Sequence, residues 1–233
     1  MTIAARLAEV RNHIQRAAEA CGRKPAEIEL LAVSKTYSGA AVREALAAGQ
    51  VLFGENRIQE LSSKAGELED TPARWHLIGS VQTNKVKLLC AVPNLVLVQS
   101  IDRQKLVDRL AATLAETGGS LDVLIQVEAT GEETKHGAFP EEVPALADAV
   151  VAAAPQLQLA GLMAIGPLHG DPVPVFAKVA RLREELRDRL GLPLPVLSLG
   201  MTGDLEAAIA AGSTMVRVGT GIFGARPTPE RNV

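Results

Sequence analysis

The feature that most constrains this chain is a regular alternation of short aliphatic runs with longer stretches that have helical spacing. The runs are almost continuously apolar, which is typical of parallel strands that are buried on both faces of a sheet. They lie at 29–34, 51–55, 75–80, 95–101, 121–128, 157–165, 194–200 and 215–223. Eight such units in 233 residues predict a single α/β domain, a (β/α)8 TIM barrel over residues 1–233.

The stretches between these runs have the periodicity of amphipathic helices. A capping serine, Ser38, begins one of them, and Gly212 ends another as a predicted C′ glycine. The predicted helices lie at 2–21, 38–46, 102–117, 172–190 and 202–211. The first of them precedes the first strand and is an extra N-terminal helix. An open doubly wound sheet is the alternative fold, but no Gly-x-Gly-x-x-Gly motif follows the first strand, so the barrel is favoured.

The composition excludes several classes of protein. Aromatic residues make up only 3% of the chain and its pI is near 5.9, so neither a stacking platform nor a basic footprint for nucleic acid is expected. No apolar run approaches the roughly 20 residues that span a bilayer, and the acid-bearing N-terminus is not a signal peptide. Cys21 and Cys90 are isolated, so we expect buried thiols in a cytoplasmic protein, with no disulfide and no bound metal.

Lys35 is the most informative polar residue, because it directly follows the first aliphatic run. Active sites of (β/α)8 barrels lie at the C-terminal ends of the strands, so its amine would lie at the barrel mouth. A desolvated lysine loses its charge more readily, and the neutral amine is the nucleophile that forms a Schiff base. The alternative is a solvated lysine that only ends a strand. The same rule also selects Asn56, Ser80, Ser100, Glu128, Met163, Thr202, Gly219 and Thr220.

Two glycine-rich junctions are candidates for a phosphate site. Residues 198–204 read SLGMTGD, and residues 216–221 read VRVGTG. Phosphate sites in such barrels often lie after the last two strands, where glycines let N–H groups approach the anion, and the hydroxyls of Thr202 and Thr220 can donate. In the alternative, Thr202 caps a helix and the glycines only form turns. A reactive lysine and a phosphate site together indicate a phosphorylated carbonyl ligand, either pyridoxal 5′-phosphate (PLP) or a sugar phosphate.

Two further polar residues lie inside predicted strands. Arg217 needs an acceptor, because an unpaired interior charge is costly, and either a ligand or a salt bridge with Glu55 or Glu128 would supply it. His76 lies early in its strand and is predicted to be a hydrogen-bonded core residue. The basic run 84–87 is predicted to be a helix face or part of the barrel mouth.

The chain resembles the pyridoxal phosphate homeostasis protein family over essentially its whole length. The matching segments are AVSKTY around Lys35, FGENRIQEL from Phe53, WHLIGSVQTNK from Trp75, GEETKHG from Gly131, GLMAIGP from Gly161 and LSLGMTGDLEAAIAAGSTMVRVGTGIFGAR from Leu197. The resemblance implies a barrel like the N-terminal domain of alanine racemase, with PLP bound to Lys35 as an internal aldimine and Asn56 beside it. It implies that Arg217 faces the pyridine nitrogen. The residues that it places around the phosphate are Ser198, Met201, Thr202, Gly219 and Thr220.

The resemblance also bears on catalysis. Alanine racemase uses the cofactor lysine and a tyrosine from a second domain of the partner subunit as its two acid/base groups. This chain ends ten residues after Phe223, so we expect that domain to be absent, and Tyr37 is too near Lys35 to replace the tyrosine. An arginine at the pyridine nitrogen would disfavour ring protonation and weaken PLP as an electron sink.

We therefore expect a monomeric PLP carrier that has no catalytic residue of its own. It would maintain the intracellular PLP pool and deliver PLP transiently to apoenzymes. The alternatives are a weak PLP-dependent amino-acid racemase and a cofactor-free Schiff-base aldolase.

Overall fold

The computed structural model describes residues 1–132 and 136–225, and the strands of these residues form a closed barrel. The strands are β1 (Glu29–Val33), β2 (Leu52–Glu55), β3 (Arg74–Leu77), β4 (Leu95–Ile101), β5 (Leu121–Val127), β6 (Leu157–Ala164), β7 (Val196–Ser198) and β8 (Met215–Val218). They follow one another in chain order, each neighbouring pair is parallel, and β8 pairs with β1 to close the barrel. The predicted (β/α)8 barrel is confirmed.

Helices lie before the barrel and between its strands. They are α1 (Ile3–Ala20), α2 (Gly39–Ala47), α3 (Ile58–Glu67), α4 (Val86–Cys90), α5 (Gln104–Thr117), α6 (Val143–Ala152), α7 (Val173–Leu190), α8 (Leu205–Ala210) and α9 (Thr220–Phe223), with short 3-10 helices at Pro25–Glu27 and Thr83–Lys85. Helix α1 is the predicted extra N-terminal helix. Thr2 caps it by accepting from the Ala5 N–H, and Ser38 caps α2 through the Ala41 N–H. Both helices therefore begin where a hydroxyl satisfies a free N–H group.

The last strand differs most from its prediction. The sequence predicts a strand over 215–223, but β8 ends at Val218 and the chain continues as α9. The Gly219 carbonyl accepts from the N–H groups of Ile222 and Phe223, which turns the backbone into this helix. Both side chains are buried, and the periodicity of a short apolar run cannot separate a buried helix from a strand. The other strand ends differ from the predicted ones by no more than three residues.

Two further predictions are wrong in the structure. The helix predicted over 202–211 begins only with α8, and Thr202 lies in the turn before it, so Thr202 does not cap this helix. The predicted burial of both thiols is also wrong, because Cys21 is exposed and Cys90 is half-buried. They lie at the C-terminal ends of α1 and α4, where the chain leaves the packed helix face. The basic run 84–87 spans a 3-10 helix and the start of α4, so its helical interpretation is confirmed.

Side chains along the strands alternate between two apolar cores. Ala32, Phe53 and Trp75 face outward into a large core that they share with the helices. A separate cluster fills the barrel interior. Its buried members are Leu31, Leu52, Leu97, Leu124, Met163 and Met215. Because Met215 faces inward, the alternation also directs the side chain of Arg217 into the interior.

Two kinds of feature are absent from the described residues. None of their helices is both long enough and apolar enough to cross a membrane. Nor do the described segments hold a group of three or more His, Cys, Asp or Glu side chains that could bind a metal ion. The predicted site residues gather instead at the C-terminal ends of the strands.

Candidate active site at the barrel mouth

Lys35 lies just after β1, at the C-terminal end of the barrel, and is half-buried. The pairing of β1 with β8 ends with Ala32 opposite Val218, so the ends of the two strands meet. A Cβ atom built on Gly219 would lie 3.2 Å from the Val33 carbonyl oxygen, so the end of β8 packs closely against β1. The structure therefore brings the lysine and the second glycine-rich junction together.

The two glycine-rich junctions contact each other. A Cβ atom built on Gly221 would lie 3.7 Å from Cγ2 of Thr202, and the Arg217 N–H donates to the Gly200 carbonyl over 3.0 Å. Thr202 and Thr220 are both exposed. The residues predicted for the phosphate site on these two junctions therefore lie side by side, next to the end of β1.

The other two residues predicted for the phosphate site lie at different depths. Met201 is 42% exposed, lines a cleft together with Asp204, and donates its N–H to the Asp204 carboxylate over 2.5 Å. Ser198 is fully buried, and its hydroxyl contacts the side chains of Gln99 and Arg217. Met201 therefore belongs to the outer surface of the mouth, whereas Ser198 belongs to its floor.

Asn56 directly follows β2, the neighbour of β1, and is half-buried. The Ser34 N–H donates to the Gly54 carbonyl over 3.0 Å, which extends the pairing of the two strands to the position before Lys35. A Cβ atom built on Gly79 would lie 2.1 Å from the Asn56 carbonyl oxygen, so the chain after β3 packs directly against Asn56. Asn56 and Lys35 therefore lie at the ends of neighbouring strands.

A buried hydrogen-bond network crosses the barrel interior below the mouth. Arg217 Nη1 donates to the carbonyl and the hydroxyl of Ser198, each over 2.7 Å, and Nη2 donates to the Ala164 carbonyl over 2.8 Å. The Ser198 hydroxyl donates to Gln99 Oε1 over 2.7 Å, and Gln99 Nε2 donates to His76 Nδ1 over 3.0 Å. The network joins β8 to β3 through β7 and β4. It confirms that His76 is a hydrogen-bonded core residue.

The salt bridge considered for Arg217 is not formed. Glu55 pairs with Lys64, and Glu128 accepts from the hydroxyl and N–H of Thr130 and from the Gly131 N–H. The guanidinium has carbonyl and hydroxyl acceptors instead, because it points into the barrel interior while Glu55 points away from it toward α3. The sequence reasoning also missed Gln99, whose only signal is one amide within the apolar run LVLVQSI.

The interior shifts the pKa of both basic members of this network. Burial lowers the pKa of Arg217 to about 10, against the opposing effect of the Asp204 charge, so the guanidinium stays protonated at neutral pH. Burial, reinforced by the Arg74 charge, lowers the pKa of His76 to about 3. The imidazole is therefore neutral, which leaves Nδ1 free to accept from the Gln99 amide.

The depressed pKa of His76 predicts a loss of stability in acid. Unfolding returns this pKa toward 6.5, so the stability that the neutral ring confers is complete above pH 6.5 and is lost as the pH falls toward about 3. Near pH 5, the wild type should lose about 2 kcal/mol more unfolding free energy than His76→Asn, whose amide oxygen can still accept from Gln99. Urea denaturation of both proteins near pH 7 and near pH 5 measures this difference. Equal losses would contradict a buried neutral histidine.

The comparisons with known proteins agree with this fold. The family model for the N-terminal domain of alanine racemase matches residues 5–227. A pyridoxal phosphate homeostasis protein from Pseudomonas aeruginosa is 48% identical over 225 residues, which cover 97% of this chain and 96% of that protein. This chain belongs to the pyridoxal phosphate homeostasis protein family. The similarity extends over the whole barrel, including the ends of β1, β2, β7 and β8 that form the mouth.

Solved structures place the family within the wider racemase fold. PipY from Synechococcus elongatus, whose structure was solved with PLP bound, has a TM-score of 0.82 at 36% identity and covers 96% of this chain and 100% of its own. Alanine racemase from Corynebacterium glutamicum has a TM-score of 0.69 at 17% identity and covers 95% of this chain and 62% of its own, so it shares the fold. Residues 133–135 of the GEETKHG segment and Arg226 of the last matching segment lie outside the described residues.

Proposed function

We propose that this chain binds PLP in the barrel mouth, holds it covalently through Lys35 and maintains a pool of it for PLP-dependent apoenzymes. The observation that carries the proposal is the packing of the end of β1, which bears Lys35, against the glycine-rich junction that follows β8. A protein of the same family, PipY, was solved with PLP bound, and the name of the Pseudomonas relative refers to the same cofactor.

The chemistry of the mouth fits the phosphate end of PLP. The junction residues offer hydroxyl groups and glycine backbone on two neighbouring strand ends, and such groups bind phosphate through N–H and O–H donors. The residues proposed to surround the phosphate are Ser198, Met201, Thr202, Gly219 and Thr220. We place Asn56 beside the cofactor because it directly follows β2, whose neighbour β1 leads to Lys35.

Arg217 fits the ring of the cofactor. Three of its five N–H groups donate to acceptors within residues 1–132 and 136–225, which leaves two for a ligand. Its guanidinium stays protonated and can only donate, so we propose that it donates to the pyridine nitrogen and keeps that nitrogen unprotonated. Ser198 and Gln99 hold the guanidinium in place for this role.

PLP supplies an aldehyde whose carbon bonds to the lysine nitrogen while its oxygen leaves as water, together with a ring that withdraws electrons from bound substrates. An arginine partner weakens the second property, while the aldehyde can still bond to the lysine. We therefore propose that this chain carries PLP and does not turn over amino acids. A weak racemase is the second candidate, since the chain shares the alanine racemase fold and Lys35 could act as one base.

A PLP titration tests the proposal. After unbound PLP is removed, the wild type should remain yellow, whereas Lys35→Ala should be colourless, because the variant lacks the amine that bonds to the aldehyde at the mouth. Lys87→Ala is the control, since Lys87 is an exposed lysine paired with Glu116 and should leave the colour unchanged. A yellow Lys35→Ala protein would contradict covalent binding at this residue. A wild type that stays colourless would favour the aldolase.

Deuterium exchange at Cα separates the carrier from the racemase. Amino acids incubated with PLP-loaded protein in heavy water should exchange no faster than with free PLP. Exchange above that rate would support the racemase instead.

A further inference from the structure

A buried ion cluster lies behind the strand end that bears Lys35. Lys64 Nζ donates to Glu55 Oε1, to Glu60 Oε1 and to the Ser34 carbonyl, each over 2.7 Å. Lys64 is 7% exposed and Glu55 is fully buried. The three contacts use all three N–H groups of the ammonium, so its position is fixed. We call Glu55, Glu60 and Lys64 the Lys64 clamp.

The Lys64 clamp bonds to the residues on both sides of Lys35. On one side, the Ser34 carbonyl accepts from Lys64, and the Ser34 hydroxyl donates to Glu55 Oε1 over 2.7 Å. On the other side, the Thr36 N–H donates to Glu60 Oε1 over 2.6 Å. The backbone of Lys35 is therefore held from both of its neighbours by helix α3 and the end of β2.

The segment that the clamp holds is a strained turn. The Tyr37 N–H donates to the Ser34 carbonyl over 3.0 Å, so Lys35 and Thr36 are the central residues of a β-turn. Thr36 has a φ of 72°, in the left-handed region that suits glycine and is unfavourable for a β-branched residue. Such a conformation persists only where surrounding contacts impose it. Glu60 supplies one contact, and the Tyr37 hydroxyl, which donates to the Gly224 carbonyl over 2.6 Å, supplies another.

The Lys64 clamp adds little to the free energy of unfolding, so a gain in stability does not explain why these charges are buried. A buried ion pair gains little over apolar packing, because removing both charges from water costs about as much as their attraction returns. Burial raises the pKa of Glu55 in spite of the opposing Lys64 charge, and Glu55 Oε2 has no hydrogen-bond partner in the described residues. The main physical effect of the clamp is therefore to fix the positions of the backbone atoms to which it bonds, the Ser34 carbonyl and the Thr36 N–H.

We propose that Glu55, Glu60 and Lys64 are positioning residues that impose the turn at Thr36 and thereby direct the Lys35 amine into the barrel mouth. The inference rests on the proposed function, because the reaction that it serves is the bond between the Lys35 nitrogen and the aldehyde carbon, with release of water. The clamp acts through the backbone of Ser34 and Thr36, to which its side chains bond.

Two substitutions of Glu60 form the test. Glu60→Gln keeps an oxygen that can accept from the Thr36 N–H, whereas Glu60→Ala removes it. The rate of PLP capture, measured by borohydride trapping, should fall about tenfold or more in Glu60→Ala and stay close to the wild type in Glu60→Gln, since small misplacements of reacting groups are costly. Hydrogen exchange at the Thr36 amide, measured without PLP, should become faster in Glu60→Ala only. Glu116→Ala, which removes an exposed ion pair with Lys87, is the control.

The outcomes separate the inference from the proposed function. Folded Glu60→Ala that captures PLP at the wild-type rate overturns the clamp, and so does unchanged exchange at Thr36. A wild type that captures no PLP overturns the proposed function, while the exchange experiment still tests the clamp. If Glu60→Ala does not fold, Lys64→Met combined with Glu55→Leu removes both buried charges together and should fold. Slow capture in that double variant supports the clamp, and capture at the wild-type rate overturns it.

Discussion

Replacing Arg217 with methionine is expected to lower the free energy of unfolding by about 3 kcal/mol, because buried acceptors lose a charged donor. The acceptors are the Ser198 and Ala164 carbonyls and the Ser198 hydroxyl, all in the barrel interior. Methionine fills much of the same space but donates no hydrogen bond. Urea denaturation at neutral pH measures the loss, and Arg187→Met, which removes an exposed arginine paired with Glu184, should change the free energy by about 0.5 kcal/mol or less.

The same position has a spectroscopic readout. Arg217→Glu places an acceptor where the guanidinium donates, so a pyridine nitrogen bound beside it would become protonated. The absorption spectrum of the PLP-loaded variant should therefore differ from that of the wild type. A PLP-loaded variant with an unchanged spectrum would contradict the assignment of Arg217 to the ring. For Arg217→Met, a free energy of unfolding equal to that of the wild type would contradict the interior hydrogen-bond network.

Gly79→Ala is expected to lower the free energy of unfolding by about 3 kcal/mol and to weaken PLP binding, because the added methyl group meets backbone that cannot move freely. The new Cβ would lie 2.1 Å from the Asn56 carbonyl oxygen and 2.9 Å from its Cα. Gly79 cannot easily retreat, since its carbonyl accepts from the Ser100 hydroxyl over 2.7 Å. Asn56 must therefore be displaced, and with it one side of the mouth.

Gly66→Ala is the matched control for this substitution. Gly66 lies within α3, and a Cβ atom built on it meets no atom within 4 Å, so alanine should be neutral or stabilising by up to about 1 kcal/mol. Thermal unfolding and PLP titration of both variants provide the measurement. If the Gly79→Ala variant has the same unfolding temperature and the same PLP affinity as the wild type, the chain after β3 does not pack directly against Asn56.

The barrel could be predicted because its signal is local. Each strand is buried on both faces, so each appears as an aliphatic run, and eight runs separated by helical stretches allow few other folds. The wrong predictions arise where one local sequence pattern is compatible with two different structures. The apolar segment after Val218 fits a strand or a short buried helix, and the backbone of Gly219 decides between them. Thr202 fits a helix cap, but α8 begins three residues later.

The site could be predicted only in part, for the same reason. Lys35 and the glycine-rich junctions follow strands directly, so the rule for barrel active sites selects them. The contacts of Gln99 with Ser198 and of Lys64 with Ser34 join residues that are far apart in sequence, and no periodicity encodes such contacts. The carbonyl acceptors of Arg217 on β6 and β7 were missed because backbone carbonyl groups carry no side-chain signal.

Borohydride reduction of the PLP-loaded protein, followed by peptide mass mapping, tests the central claim most directly. Reduction makes the bond between a lysine and the cofactor permanent, so the modified residue can be read from the peptide mass. We expect the pyridoxyl group on the peptide that contains Lys35, with none on peptides that contain Lys64, Lys85 or Lys87. A pyridoxyl group on a different lysine, or on none, would contradict the assignment of the barrel mouth as the PLP site.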